Sequence, residues 1–499
     1  MFSNPTAITF VGYLLVMVCV GFYAYYHTRS YGDYILGGRS LGGFVTALSV
    51  GASDMSGWLL MGLPGAVYLA GISQSWIGIG LVLGSYINWC VVASRLRVYT
   101  EKTHNALTLP DYFSHRFEDK QNLLRIIAAV VILLFFTIYC ASGVVAGARL
   151  FENTFSMSYE TALILGAAAT ICYVFVGGFL AVSWTDTIQA LLMCLALIVT
   201  PIAVMYDLGG FTAATECVAS VDIKMLNILE GHTLVGHTLV GIVSLLAWGL
   251  GYFGQPHILV RFMATRSIKV IPNARRVATL WMSFCLSGAV AVGFFGAAFF
   301  AEHRDVASLV EQNHERVFIV LSGLLFNPWI AGILMSAILA AVMSTLSCQL
   351  LVCSSTLTED FYRTFIRRNA SQRELVWFGR SMVLLVSVVA VWLARDPNSL
   401  VLSLVSYAWA GFGAAFGPVI IMSLWWRRMT RNGALAGMIT GAVTVLVWNH
   451  YAWLGLYEIL PGFVFALIAI VVVSLLDKAP SKSIAKTFDE VQAAVRNPA

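Results

Sequence analysis

The sequence predicts an all-α polytopic membrane protein of thirteen transmembrane helices, and three observations carry that reading. The first is composition: 59% of the 499 residues are hydrophobic and 11% charged, where an ordinary soluble domain carries about 25% charged residues. A surface that apolar is solvated by lipid and not by water. The second is a pair of long apolar segments, each interrupted in its middle by residues that weaken a helix. The third is a one-sided distribution of Lys and Arg along the chain.

At roughly 20 apolar residues per span, the candidates in chain order lie near 7–27, 40–70, 74–94, 123–148, 159–180, 186–206, 235–260, 277–300, 328–357, 375–394, 399–426, 433–452 and 459–476. The first has no Lys or Arg ahead of its apolar run, so it reads as a retained helix and not a cleaved leader. The second is too long for one plain span and carries Gly51-Ala52-Ser53-Asp54-Met55-Ser56-Gly57 at its centre. The seventh holds Gly249, Gly251, Gly254 and Pro256 within AWGLGYFGQP. Gly loosens the helix and Pro removes a backbone donor, and irregular backbone at membrane depth is tolerated only where protein or a cavity surrounds it. The two broken spans are five apart. Two five-helix halves, 40–206 and 235–426, each opening on a broken helix, match an inverted-repeat transporter with one helix before and two after. Because five is odd, the halves must be inverted. Gly and Pro are also simply common in membrane helices, which is the plainer account of both breaks.

Charge sets the orientation. The loops 28–39, 95–125, 261–276, 359–373 and 427–431 and the short tail 477–499 hold 24 of the 30 Lys and Arg residues. The opposite loops hold Arg149, Lys224, Arg304, Arg316 and Arg395, and Arg380 falls within a span. The positive-inside rule then puts the N-terminus outside and the tail in the cytoplasm. The formal net charge of +5 reflects those loops, so a nucleic-acid partner is not expected, and no obligate protein partner is evident.

Few polar residues interrupt the apolar runs. Asp54, between Ser53 and Ser56, costs several kcal/mol at membrane depth unless paired or solvated, which marks it as functional; the alternative is a cap on a freed backbone donor. Ser344 and Thr345 in AAVMSTLS offer adjacent hydroxyls beside small residues. With carbonyls freed at the Ala52–Met55 break they would suit a hard cation such as sodium, although such hydroxyls usually bond within their own helix. Trp58, Tyr139, Trp248 and Tyr252 could line a site for a small amphipathic solute, or could be ordinary packing. Asp186 reads as a helix N-cap or as part of an ion route. Arg39, in GGRSLGG, is a gate element or a positive-inside anchor. Eight of nine cysteines lie in or beside apolar segments and read as small buried hydrophobes. The tandem GHTLVGHTLVG at 231–241, with His232 and His237, reads as a loop duplication. No HExxH, GxSxG or GxxxxGK[ST] occurs, so nothing points to an enzyme.

Longer stretches carry a resemblance. GDYILGGRSLGG (32–43), FVTALSVGASDMSGWLLMGLPGAVYLAG (44–71), NALTLPDYF (105–113), FFTIYCASGVVAGARLFE (135–152), GGFLAVSWTDTIQA (177–190) and WGLGYFGQPHILVRFMA (248–264) resemble the sodium/solute symporter family. The resemblance implies a leucine-transporter-like core in a bacterial inner membrane. It implies sodium as coupling ion and L-proline as solute, the alternatives being another amino acid, pantothenate, a sugar, or a role as a solute sensor. By residue type it implies a sodium shell of the backbone oxygens of Ala52, Met55 and Ala341 and the hydroxyls of Ser344 and Thr345, with Asp54 associated. It places Ser56, Gly57, Trp58, Tyr139, Trp248, Tyr252 and Pro256 at the solute.

Overall fold

The computed structural model describes residues 5–27, 31–229, 238–451 and 453–497; the 231–237 part of the His-containing repeat lies outside them. Among the described residues the fold is all helical, with one isolated parallel bridge between Leu41 and Thr265. The principal helices, numbered here in chain order, are α1 (Pro5–His27), α2 (Gly43–Asp54), α3 (Leu63–Ala70), α4 (Ser75–Asn88), α5 (Leu123–Phe155), α6 (Tyr159–Asp207), α7 (Thr238–Leu246), α8 (Pro256–Met263), α9 (Ile271–Glu302), α10 (Pro328–Ser355), α11 (Gln372–Leu393), α12 (Val401–Trp425), α13 (Arg431–Tyr451), α14 (Ile459–Leu476) and α15 (Lys482–Arg496).

Among the described residues, ten helical stretches are long and apolar enough to cross a membrane, and a bent pair makes eleven. The thirteen hydropathy segments and this number differ where the chain turns or breaks without leaving apolar sequence. Helical structure runs from Trp58 to Lys102, through a sharp local turn at Gly71 (φ +72) where a Cβ would strike the Met225 backbone. The segments near 159–180 and 186–206 are both contained in α6, kinked at Gly178 (φ +63). Only glycine adopts that conformation cheaply.

Both predicted breaks are present. α2 stops at Asp54, Met55 takes non-helical dihedrals (φ −81, ψ 82), and the chain resumes as a π-helical turn, Trp58–Gly62, running into α3. The second break bends the chain by 42° between Leu239–Phe253 and Pro256–Met263. Its cause is local: Gly254 closes a 3₁₀ segment, Gln255 is extended, and Pro256 starts α8 at the position where a missing donor costs nothing.

The broken segments sit inside the bundle. α10 is buried along most of its length and packs on α5, α6 and α2, while α9 packs on α2, α3, α4 and α6. Lipid offers little hydrophobic drive for helix pairing, so close backbone approach matters more. Gly80 and Gly84 of α4 face Leu246 and Gly249 of the second broken segment so closely that a Cβ on Gly84 would overlap the Gly249 backbone, and one on Gly249 the Gly80 carbonyl. The outer surface is apolar, with Leu15, Leu83, Ile164, Leu191 and Leu280 among its exposed side chains, as lipid contact requires.

The basic loops meet on one face. Arg39 binds Asn105, Arg97 donates to the Thr265 carbonyl, Arg431 pairs with Asp119, and Arg427 pairs with Asp489 of α15 at 2.9 Å. The amphipathic α15 caps that face by burying Phe488 and Val491, with Gln492 donating to the Leu424 carbonyl at 2.8 Å. At the opposite ends of the helices, Arg149 pairs with Glu152 and also reaches the Pro397 carbonyl, and Arg316 pairs with Glu152. The two charge classes read from sequence are therefore two separate surfaces.

Candidate functional site

The first break lies against the middle of α10. The Ser344 hydroxyl donates to the Ala52 carbonyl at 2.7 Å and approaches the Ala341 carbonyl at 3.0 Å; Thr345 Oγ1 reaches the same Ala52 oxygen at 3.3 Å. Bonding within the helix and bonding across to the break thus coexist at Ser344. All four residues are buried, as is Met55, whose N–H is held by the Gly51 carbonyl at 2.9 Å. The arrangement gathers hard oxygens in a dry setting, and both hydroxyls can rotate to turn lone pairs toward a cation. Replacing Ser344 and Thr345 together by Ala is expected to raise the sodium concentration for half-maximal uptake at least tenfold. A hydrogen-bonding or ligating contact to a charge is worth about 1.5–3 kcal/mol. An unchanged sodium dependence would remove the pair from the ion's shell.

Asp54 points elsewhere. It is 1% exposed, and its Oδ2 accepts from the Tyr252 hydroxyl, which belongs to the second broken segment. Its other carboxylate oxygen has no hydrogen-bond partner. The Asp54 carbonyl accepts from Trp58 Nε1 at 3.2 Å and from the Tyr139 hydroxyl at 3.5 Å. Ser56 Oγ accepts from the Trp58 amide at 3.4 Å, and Gly57 lets α5 approach at Ala146. One carboxylate residue therefore ties the two breaks together, and Trp58, Tyr139 and Tyr252 of the predicted solute residues collect around it.

Aromatic rings extend this cluster. Trp58 lies 6.3 Å from Trp248, which stacks on Tyr457 at 5.4 Å. Tyr252 meets Trp409 of α12 edge to face at 5.2 Å, and the Trp409 indole donates to the Trp248 carbonyl at 2.7 Å. Pro256 is buried at the start of α8 and lines a cavity shared with Thr108, Val260, Arg261 and Cys348. Trp409, Tyr457, Gln255 and His257 are part of the same region but were not singled out from sequence. The available signal was weak: two polar residues flanking a proline at a break.

Arg39 and Asp186 lie toward the basic face. Arg39 bonds Asn105, Thr100, and the carbonyls of Met263 and Ala106, so it joins the entry of the first broken segment to the exit of the second. Burial, reinforced by Arg97 and opposed by Glu101, pushes its guanidinium down to about 10. Two backbone bonds, Leu41 to Ala264 and Arg266 to Leu41, reinforce the join. The N-cap reading of Asp186 is overturned. The residue is inside α6, past the kink at Gly178, and is fully buried. Its Oδ2 accepts from Ser49 at 2.6 Å and pairs with Arg261 at 3.1 Å. Arg261, assigned to a basic loop from sequence, is buried within α8 and also contacts Cys348 and the His257 carbonyl. Cys348 in turn donates to the Ser344 carbonyl at 2.8 Å, so this ion pair lies one helical turn from the hydroxyl pair.

Residues 34–441 match the family model described as "Sodium:solute symporter family". The chain belongs to the sodium:solute symporter family. It is 65% identical over 491 residues to the sodium/proline symporter of Escherichia coli strain K12, covering 98% of this chain and 97% of that one. It is 50% identical to the high-affinity proline transporter PutP of Bacillus subtilis, covering 95% and 99%. In three dimensions this symporter is similar to a sodium-coupled sialic acid symporter in a substrate-bound outward-open state, with a TM-score of 0.81, 18% identity, and coverage of 97% and 100%. That likeness concerns the fold. The geometry above places an oxygen-rich spot between α2 and α10, and beside it a carboxylate and aromatic cluster that touches both broken segments.

Proposed function

We propose that this protein carries L-proline into the cell together with sodium, by alternating access across a bacterial inner membrane. The single observation that carries the site reading is the convergence on the first break. Ala52 accepts from Ser344 and Thr345 across it, while Asp54 at its end binds Tyr252 of the second. The solute reading rests on the relatives named as sodium/proline symporters in E. coli, Salmonella typhimurium and Haemophilus influenzae.

In this reading sodium is held by the carbonyls of Ala52, Met55 and Ala341 and the hydroxyls of Ser344 and Thr345. Asp54 organises the break beside it. The solute meets Ser56, Gly57, Trp58, Tyr139, Trp248, Tyr252 and Pro256, its carboxylate facing half-helix N-terminal amides. Arg39 acts at the gate on the basic face and Asp186 on the ion's route out. The architecture is thirteen spans: two inverted five-helix repeats, 40–206 and 235–426, with one helix before, two after, and the tail 477–499 in the cytoplasm. The separation of basic and sparsely charged surfaces supports an external N-terminus.

The energetics suffice. One positive charge moving inward gains about 2.3 kcal/mol per 100 mV, close to the ~2.7 kcal/mol of a hundredfold accumulation, and the sodium gradient adds to it. The test is uptake of labelled L-proline into proteoliposomes under an inward sodium gradient against an equal potassium gradient. Sodium-dependent accumulation is expected. Absence of uptake under both gradients from folded protein overturns the solute, and equal uptake under both overturns the coupling.

A further inference from the structure

We propose that Gln255 and His257, the side chains on either side of Pro256, grip the two charged groups of a zwitterionic secondary amino acid. The inference rests on the solute reading above and extends it to two residues that have no assigned part in it.

Both side chains are fully buried. Gln255 is extended at the break and donates through Nε2 to the Trp409 carbonyl of α12 at 3.2 Å. That bond fixes the amide's orientation and leaves Oε1 without a partner. The His257 ring makes edge contacts with Phe136 at 5.5 Å and Tyr139 at 5.9 Å on α5, and neither ring nitrogen has a partner. Phe136 in turn packs on Phe412 of α12 at 4.4 Å. The proline break thus turns both polar groups toward the seam between α5 and α12, where Tyr139 and the Tyr252–Trp409 pair also lie.

Leaving a buried acceptor or imidazole unpaired costs about 1–3 kcal/mol per group, and native interiors keep few such groups without a reason. Here the orphaned atoms have complementary characters. The Gln255 Oε1 can only accept, whereas a neutral imidazole has one N–H to donate. A secondary amino acid presents the converse set: ammonium N–H donors and a carboxylate acceptor. Oε1 then accepts from the ammonium and the His257 N–H donates to the carboxylate. Neither side chain adds net charge, so sodium remains the only net charge moved with the solute.

The experiment uses full-length protein in proteoliposomes: wild type, His257→Phe, His257→Asn and Gln255→Met. Readouts are the KM for L-proline, the sodium half-saturation, and inhibition by two analogues. L-prolinamide lacks the carboxylate, and the N,N-dimethyl derivative of proline lacks every N–H. His257→Phe keeps the ring and loses the donor. It is expected to raise KM about 10–100-fold, the range a charge-assisted hydrogen bond supplies, and to erase most of the preference for L-proline over L-prolinamide. Sodium half-saturation is expected to stay within about twofold. His257→Asn, which retains an N–H donor, is expected to recover that preference at least in part, and it carries the test if the Phe variant fails to fold. Gln255→Met is expected to erase the preference over the dimethyl analogue instead. Preferences within about twofold of wild type in folded variants overturn the assignment, whereas wild-type protein without sodium-dependent L-proline uptake overturns the solute reading itself.

Discussion

Replacing Asp54 by Cys or Asn is expected to abolish sodium-driven L-proline uptake, lowering the initial rate about a hundredfold or more. The carboxylate has two tasks; Cys performs neither, and Asn, whose amide oxygen can still accept a hydrogen bond, loses the charge. Asp54 receives the Tyr252 hydroxyl, joining the two broken segments, and it puts a negative charge within the same short break whose Ala52 carbonyl faces Ser344 and Thr345. A buried hydrogen bond to a charge contributes about 1.5–3 kcal/mol, and the lost attraction for the cation adds to it. Tyr252→Phe removes only the hydroxyl and is expected to cost about tenfold. Because the two side chains share one bond, which Cys does not replace, the double variant Asp54→Cys with Tyr252→Phe is expected to be no worse than Asp54→Cys alone. Initial rates in proteoliposomes, with melting temperatures as a check on folding, decide the matter. Native rates in Asp54→Asn with only a lowered melting temperature would make the residue a structural cap.

The second large effect concerns stability. Arg261→Gln leaves the buried Asp186 carboxylate without its counter-ion, and removing one partner of a buried pair costs about 3–5 kcal/mol. Thermal unfolding in detergent is expected to show a large loss for Arg261→Gln and for Asp186→Asn alone. The double substitution should recover at least half of it, because Ser49 and the His257 carbonyl still offer hydrogen bonds to neutral amides. Single variants as stable as wild type would mean that water reaches the pair.

Much of this site could be read from residue chemistry alone. Asp54, Ser344 and Thr345 are polar within apolar runs, and lipid makes every such residue conspicuous. Gly and Pro marked both breaks because their backbone effects are local. What escaped depended on distant partners. Arg261 reads as a loop cation because nothing near it in sequence reveals Asp186, 75 positions earlier, or that α8 carries it inside. Asp186 follows Thr185 and imitates a cap, whereas the actual interruption of α6 is at Gly178. Gln255 and His257 offer only the weak pattern of two polar residues flanking a proline; what singles them out is the buried, unpartnered Gln255 Oε1 and the two His257 ring nitrogens. The number of spans was blurred for a related reason, since a glycine turn such as Gly71 reverses or bends the chain without any change of hydropathy.

The glycine seam between α4 and the second broken segment has a mechanical consequence. Where two backbones touch directly, there are no rotamers to rearrange and no side-chain layer to shear. Gly80, Gly84 and Gly249 therefore weld their two segments into a single lever. Any tilt of the second break must drag α4 along, and the slack for a transport stroke has to come from the far margins of that lever, at the Gly71 turn and at the Gln255–Pro256 bend.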